Sequence, residues 1–167
     1  MFDEKNALVL ALAQALLRRH MTCATAESCT GGLVGAMLTA LPGSSDWYVG
    51  GVISYANAVK MRLLGVRQED LDREGAVSGP VVRSMALGAC AATGAQAAVA
   101  ISGVAGPGGG SAEKPVGTVW VGWAVGGSTR AEVFHFEGDR DGVRVQAAEA
   151  AIRGLLAWLE ESEEAAP

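Results

Sequence analysis

Basic residues are scarce in this chain. Thirteen Lys and Arg stand against eighteen Asp and Glu, a net charge of -5. No broad cationic surface is available to neutralise phosphates, which excludes duplex nucleic acid as an expected partner. Long apolar runs are missing as well. Mean hydropathy is high at +0.25, yet no run approaches the roughly 18 residues that would suggest a membrane-spanning helix. The excess lies in Ala and Gly, which predicts close packing between elements. Cys23, Cys29 and Cys90 are odd in number and form no C-x-x-C pair, and His is limited to His20 and His135. That set gives little support to a structural zinc site, and the expectation is a reduced, cytoplasmic protein. Five Pro beside 23 Gly without a fixed period exclude a collagenous or low-complexity chain. A secretory signal is not expected. Ala7 to Ala13 is apolar and Ala24-Thr25-Ala26 has the form of a cleavage site, but Asp3 and Glu4 sit where positive charge is required.

What is present is material for a core. The 167 residues amount to about one domain, long enough to bury about 70% of its unfolded surface. Hydrophobic residues make up 50% and charged residues 19%, which excludes disorder over most of the length.

Hydrophobic spacing predicts helices over 6–20, 33–41, 57–64, 67–74, about 79–93 and 140–160. Strands are expected over 22–27, 48–55, 97–102, 116–125 and 129–137, the last two as a hairpin around Gly126-Gly127-Ser128. Gly65 reads as a helix stop, Ser78 and Asp139 as N-caps, and Pro80 as a residue of a first helical turn. The acidic stretch 161–167 reads as a frayed tail. Helices between the early strands favour parallel pairing, and the late hairpin adds antiparallel strands. The expected fold is one three-layer α/β/α sandwich over residues 1–167, with a mixed, mostly parallel sheet.

Four segments carry groups suited to chemistry. Ala26 to Gly32 places the Ser28 hydroxyl where a strand ends and a helix begins, the place where open α/β sheets bind ligands. The N–H groups of Thr30, Gly31 and Gly32 are candidate donors to an anion or oxyanion. Taken alone, the segment is better explained by Ser28 and Thr30 as caps, with Cys29 as a buried inert thiol or a rival nucleophile. Ser54 to Lys60 puts Tyr55 at a strand end and Lys60 in a first helical turn. A desolvated Lys60 would lose its proton easily and serve as a base toward serine, whereas a solvated one would do nothing. Ser102 to Pro115 is a long Gly-rich loop, with Gly103, Gly106, Gly108 and Gly109 offering bare backbone to a phosphate. It lacks the Gly-Lys-Ser/Thr of a Walker loop and otherwise reads as a flexible connector. Arg140 and Arg144 share a face at a helix N-terminus, where like charges are unfavourable unless an anion or Asp139 and Asp141 compensate. Ser78 is better placed as a cap than as a nucleophile, and the positions of His20 and His135 suggest no Ser-His-Asp triad.

These segments together carry a resemblance. AESCTGG from Ala26, SYANAVK from Ser54, GAVSGPVV from Gly75, SGVAGPGGGSAEKPVGTVW from Ser102 and GDRDGVRVQA from Gly138 resemble the CinA C-terminal domain family. Its stand-alone members are nicotinamide-nucleotide amidohydrolases of the PncC type. The similarity spans nearly the whole chain. It implies hydrolysis of nicotinamide mononucleotide (NMN) to nicotinic acid mononucleotide and ammonia, in pyridine-nucleotide salvage, without metal or cofactor. It further implies Ser28 as nucleophile, Lys60 as base and Tyr55 as an assisting residue. By the same resemblance, Ser102, Gly103, Gly106, Gly108, Gly109, Arg140 and Arg144 fall in the substrate-binding region, and Cys29, Thr30, Gly31 and Gly32, which follow Ser28, are expected to bind substrate beside them. Ser102 keeps a hydroxyl where some relatives carry Thr. A homodimer is expected, and no nucleic-acid or membrane partner. The N-terminal nucleotide-pyrophosphatase domain of larger members has no counterpart in these 167 residues, so its activity is not expected. Readings from the residues alone remain beside this one: a non-catalytic nucleotide-binding module, an amidase for another small amide, or a thiol enzyme using Cys29.

Overall fold

The computed structural model describes residues 4–165. Helix α1 (Glu4–Arg18) leads into strand β1 (Cys23–Glu27), then helix α2 (Leu33–Thr39) and strand β2 (Tyr48–Ile53). Helices α3 (Asn57–Leu64), α4 (Gln68–Glu74) and α5 (Gly79–Thr93) follow, then strands β3 (Ala97–Gly103), β4 (Thr118–Val125) and β5 (Ser128–His135), and helix α6 (Arg140–Glu164). The sheet order is β2-β1-β3-β4-β5. β1 runs parallel to both β2 and β3, while β4 and β5 close the sheet antiparallel. This is the mixed three-layer sandwich that the sequence predicts.

The two faces of the sheet are built from different side chains. Toward α1, α2 and α6 the strands present Cys23, Val99, Ile101, Val119, Val121 and Trp123, which pack with Leu12, Leu16, Val34, Leu38 and Ile152. Toward α5 they present a wall of Ala24, Ala26, Ala98, Ala100 and Ala124, packed with Val81, Val82, Met85 and Ala89. Small side chains let α5 lie close. A Cβ on Gly122 would fall 2.5 Å from the Val82 carbonyl oxygen. Part of the Ala and Gly excess therefore lies where a helix approaches the sheet backbone.

Several local expectations are corrected. Ser78 occupies the N-cap position of α5, but its hydroxyl does not cap the helix; it donates to the Gly75 carbonyl at 2.7 Å instead. Asp139 does cap α6, accepting from the Gly142 N–H at 2.8 Å. α6 continues past Glu160 to Glu164, because Arg130 holds Glu161 at 3.0 Å and Arg18 holds Glu163 at 3.3 Å. Residues 166 and 167 of the expected frayed tail lie outside the described residues. β2 contains a bulge that sequence alternation does not reveal. The register slips between Cys23 and Ala24, whose partners are Tyr48 and Gly50, and Gly50 takes φ +141°. The slip leaves Tyr48 on the same face as Gly51, where its hydroxyl meets the Thr25 hydroxyl at 3.0 Å.

The chain leaves β1 toward α2 on one face, and leaves β2 toward α3 and α5 on the other. The strand order reverses between β1 and β3, and a switch point of this kind opens a crevice at the carboxyl ends of the parallel strands. Ser28 follows β1 and Ser54 follows β2, so both stand at this crevice.

Candidate active site

Lys60 projects from the first turn of α3 into that crevice. Its side chain is 1% exposed, and Ser28 is 8% exposed. The Lys60 Nζ lies 3.0 Å from the Ser28 Oγ, 2.7 Å from the Ser54 carbonyl oxygen and 3.1 Å from the Tyr55 carbonyl oxygen. Burial pushes the Lys60 pKa below its usual value, since a low-dielectric setting disfavours the ammonium. The Ser54 and Tyr55 carbonyls accept from Nζ, and the Ser28 hydroxyl completes its set of partners. The solvated-lysine alternative is thereby removed.

The turn after β1 is held from both polar sides. The Glu27 carboxylate, 2% exposed, accepts from the N–H groups of Gly32 at 3.2 Å, Val34 at 2.9 Å and Gly35 at 3.1 Å. The Gly31 N–H donates to the Ser28 carbonyl at 3.1 Å. Two of the three N–H groups expected to await an anion, those of Gly31 and Gly32, are therefore already engaged. Gly31 and Gly32 adopt φ +58° and +106°, values that suit glycine. On the carbonyl side, Arg144 donates through Nε to Cys29 O and through Nη2 to Thr30 O, each at 3.0 Å.

The arginine pair thus divides its work. Arg144 is bound to the turn that carries Ser28. Arg140 reaches across to the Gly-rich loop, donating through Nη1 to the Gly106 carbonyl at 2.7 Å, with its Nη2 3.5 Å from the Tyr55 hydroxyl. Tyr55 is 62% exposed. Its backbone carbonyl serves Lys60 while its hydroxyl meets Arg140, so the structure does not bring that hydroxyl to the Ser28–Lys60 pair. Ser102, 1% exposed, stands level with Ser28, because Glu27 pairs with Ile101. Gly106 is buried, while Gly108 and Gly109 lie exposed further along the loop. A Cβ on Gly106 would come 2.4 Å from a Val116 methyl. Lys114 ties the far end of the loop to the Glu74 carbonyl at 2.6 Å.

Cys29 is a poor rival to Ser28. Burial pushes its thiol up to about 11, and the thiolate is the reactive species. Among the described residues no cluster of His, Cys, Asp or Glu has the makings of a metal site, and no helix is long and apolar enough to cross a membrane. Sequence reasoning missed Glu27 and the Ser54 carbonyl. The first caps a helix from beyond the usual local spacing, and the second is a backbone group with no side-chain signature.

Comparisons with known proteins show the family and the fold. The CinA C-terminal domain family matches residues 5–159. The chain is 52% identical over 147 residues to the nicotinamide-nucleotide amidohydrolase PncC of Escherichia coli K12, covering 86% of this chain and 88% of that protein. It is 49% identical to the PncC of Pseudomonas putida, covering 92% and 96%. A CinA-like protein of Akkermansia muciniphila is 48% identical over 161 residues, and the chain spans only 39% of its length. Among solved structures, a CinA superfamily protein from Klebsiella pneumoniae superposes with a TM-score of 0.91 at 37% identity, covering 95% of this chain and 99% of that one. A competence/damage-inducible protein from Agrobacterium tumefaciens gives 0.90 at 37% identity, covering 96% and 98%. The chain belongs to the CinA C-terminal domain family.

Proposed function

We propose that the protein is a metal-independent serine amidohydrolase that converts NMN to nicotinic acid mononucleotide and ammonia in pyridine-nucleotide salvage. The observation that carries this reading is the buried Lys60 Nζ, 3.0 Å from the Ser28 Oγ with two carbonyls on its remaining side. The substrate is taken from the relatives named PncC.

In this mechanism neutral Lys60 accepts the Ser28 proton as Oγ bonds to the carboxamide carbon. The carbonyl π electrons move to oxygen, giving a tetrahedral oxyanion. Gly31 and Gly32 are engaged within the turn, so the Thr30 N–H is the donor of this turn assigned to the oxyanion. One such donor is worth about 3–4 kcal/mol. Collapse breaks the C–N bond, and the Lys60 ammonium returns its proton to the departing nitrogen, which leaves as ammonia. Water then attacks the acyl-enzyme, giving a proton to neutral Lys60. The C–Oγ bond breaks and Ser28 regains its proton, releasing the carboxylate product.

Arg140 is the charge partner assigned to the 5′-phosphate, with the Gly103 to Gly109 segment as the wall beside it. Arg144 serves by holding the nucleophile turn. Exposed Tyr55 offers a ring face to the cationic pyridinium. The reading also takes the enzyme to be cytoplasmic, from its cysteine usage, and homodimeric, as the family resemblance implies.

Ammonia release from NMN, without added metal, tests the assignment beside Ser28→Ala. Release by the unaltered protein alone supports the activity and the role of Ser28 together. A fully active Ser28→Ala protein would falsify the mechanism. NMN binding without release by either protein would leave a nucleotide-binding module.

A further inference from the structure

We infer that Glu27 is the positioning residue of the nucleophile, an inference that rests on the reading of Ser28 as the attacking group. Glu27 is a carboxylate 2% exposed, and among the described residues no Lys, Arg or His pairs with it. Removing a charge from water is costly unless hydrogen bonds replace hydration. Here the replacement is complete on one side. Both carboxylate oxygens are occupied by the first free N–H groups of α2, Gly32 and Val34 on Oε1 and Gly35 on Oε2.

A cap for α2 does not require this arrangement. Ser, Thr, Asp or Asn at the N-cap would satisfy such donors locally. The N-cap residue is instead Gly32, with φ +106° and no side-chain cap. The capping group comes from the residue just before Ser28, while its partners begin four residues after Ser28. The carboxylate therefore brackets the nucleophile. It ties the end of β1 to the start of α2 and closes the intervening turn into a ring.

The backbone of Glu27 extends the same control to the base. Its carbonyl accepts from the Ser54 N–H at 2.7 Å, and the Ser54 hydroxyl lies 3.4 Å from the same oxygen. The Ser54 carbonyl in turn receives Lys60 Nζ at 2.7 Å. Ser28 donates its own N–H to the Ile101 carbonyl at 3.0 Å. Glue of this kind fixes Oγ and Nζ relative to one another: the Glu27 side chain sets the turn that carries Ser28, and its main chain anchors the segment that holds Lys60. Glu27 touches neither reacting atom, so its action is on geometry.

Glu27→Gln tests the assignment. The amide preserves shape but keeps only one acceptor oxygen, and its NH2 group faces donors. Glu27→Asp keeps the charge but is too short to span from Gly32 to Gly35. Three quantities are read on each variant: thermal unfolding, kcat and KM for NMN, and the rate at which a small aryl sulfonyl fluoride modifies Ser28, followed by intact mass. Misplacement of a reacting group by an ångström costs about 10²-fold, so kcat is expected to fall about 100-fold in folded Glu27→Gln. KM stays within about threefold, the pattern of an interaction that matters in the transition state, and Ser28 modification slows in parallel. A folded Glu27→Gln with kcat and modification rate at wild-type values overturns the inference. Should Glu27→Gln not fold, the same readings on Glu27→Asp decide it. If the unaltered protein releases no ammonia from NMN but Ser28 is still modified, the substrate reading fails alone and the modification rate still decides the role of Glu27. An unmodified Ser28 in the unaltered protein overturns both.

Discussion

Lys60 brings a titratable amine to 1% exposure with two carbonyls and one hydroxyl around it. Its pKa in the folded protein lies below 10.5, so across the window between that lowered value and 10.5 the unfolded chain holds a proton the folded one lacks. Stability then rises with pH through the window, and the full penalty of burying an ammonium is felt below it. Cys23 and Cys29 have the opposite sign. Their thiols are pushed up from 9.0 to about 12 and about 11, so unfolded thiols ionise first and stability falls as pH climbs above 9.0. Lys60→Met separates the two contributions. Its melting temperature is expected to exceed that of the unaltered protein at neutral pH and to lose the rising limb, read by thermal unfolding across a pH series. The same titration governs rate: kcat is expected to rise with pH as Lys60 loses its proton. Cys29→Ala is expected to keep kcat, because the turn is held through the Cys29 carbonyl and not its thiol. An ammonia-release assay beside Ser28→Ala checks this, and loss of activity in Cys29→Ala would return the thiol to consideration.

Helix α3 reaches the crevice because α5 admits it closely. A Cβ on Gly88 of α5 would fall 2.0 Å from the Leu64 carbonyl oxygen of α3. Leu64 is one turn beyond Lys60, so displacing this contact displaces the proposed base. Gly88→Ala is expected to cost about 1–3 kcal/mol by overpacking, measured by urea unfolding, with a loss of kcat beyond what the unfolded fraction accounts for. Helices and strands of this kind are legible in the sequence. Gly65 and Gly94 end helices at φ +69° and +81°, and Pro80 and Asp139 mark helix starts as their chemistry predicts. The pairing of Ser28 with Lys60 is less so. The residues alone leave each with an inert reading, and the five ordered segments of the resemblance single them out. What remained illegible depended on contacts distant in sequence. Glu27 satisfies N–H groups five to eight residues away without a capping-box spacing. The β2 bulge follows from Gly50 at φ +141°, in a strand whose composition alone suggests simple alternation. The division of labour between Arg140 and Arg144 is set by which wall each meets, Gly106 or Cys29 and Thr30, and helical spacing places both on one face without distinguishing them.

The molecule is acidic overall, at -5, yet it brings Arg140 and Arg144 to one end of the sheet. On the proposed function, this local pair of cations on an anionic body would draw the phosphorylated substrate by charge, and salt would weaken that attraction over a Debye length of about 8–10 Å. KM for NMN is expected to rise with ionic strength while kcat holds. Arg140→Gln is expected to raise KM about tenfold and flatten the salt dependence, on the measure that a charge-assisted hydrogen bond contributes ~1.5–3 kcal/mol. Steady-state kinetics in a salt series reads both, and an unchanged KM in Arg140→Gln would remove that residue from phosphate binding. The order in which these groups occur along the chain has its own consequence. Ser28, Ser54, Lys60 and Ser102 all precede β4, whereas Arg140 and Arg144 arrive on α6, the last helix of the described residues. Synthesis on the ribosome proceeds from the N-terminus, so Ser28 and Lys60 leave it well before Arg140 and Arg144. On the proposed mechanism, a nascent chain still lacking α6 would hold its nucleophile and base without the Arg144 bonds to the Cys29 and Thr30 carbonyls, and so would not yet present a finished acylating centre to the amides around it.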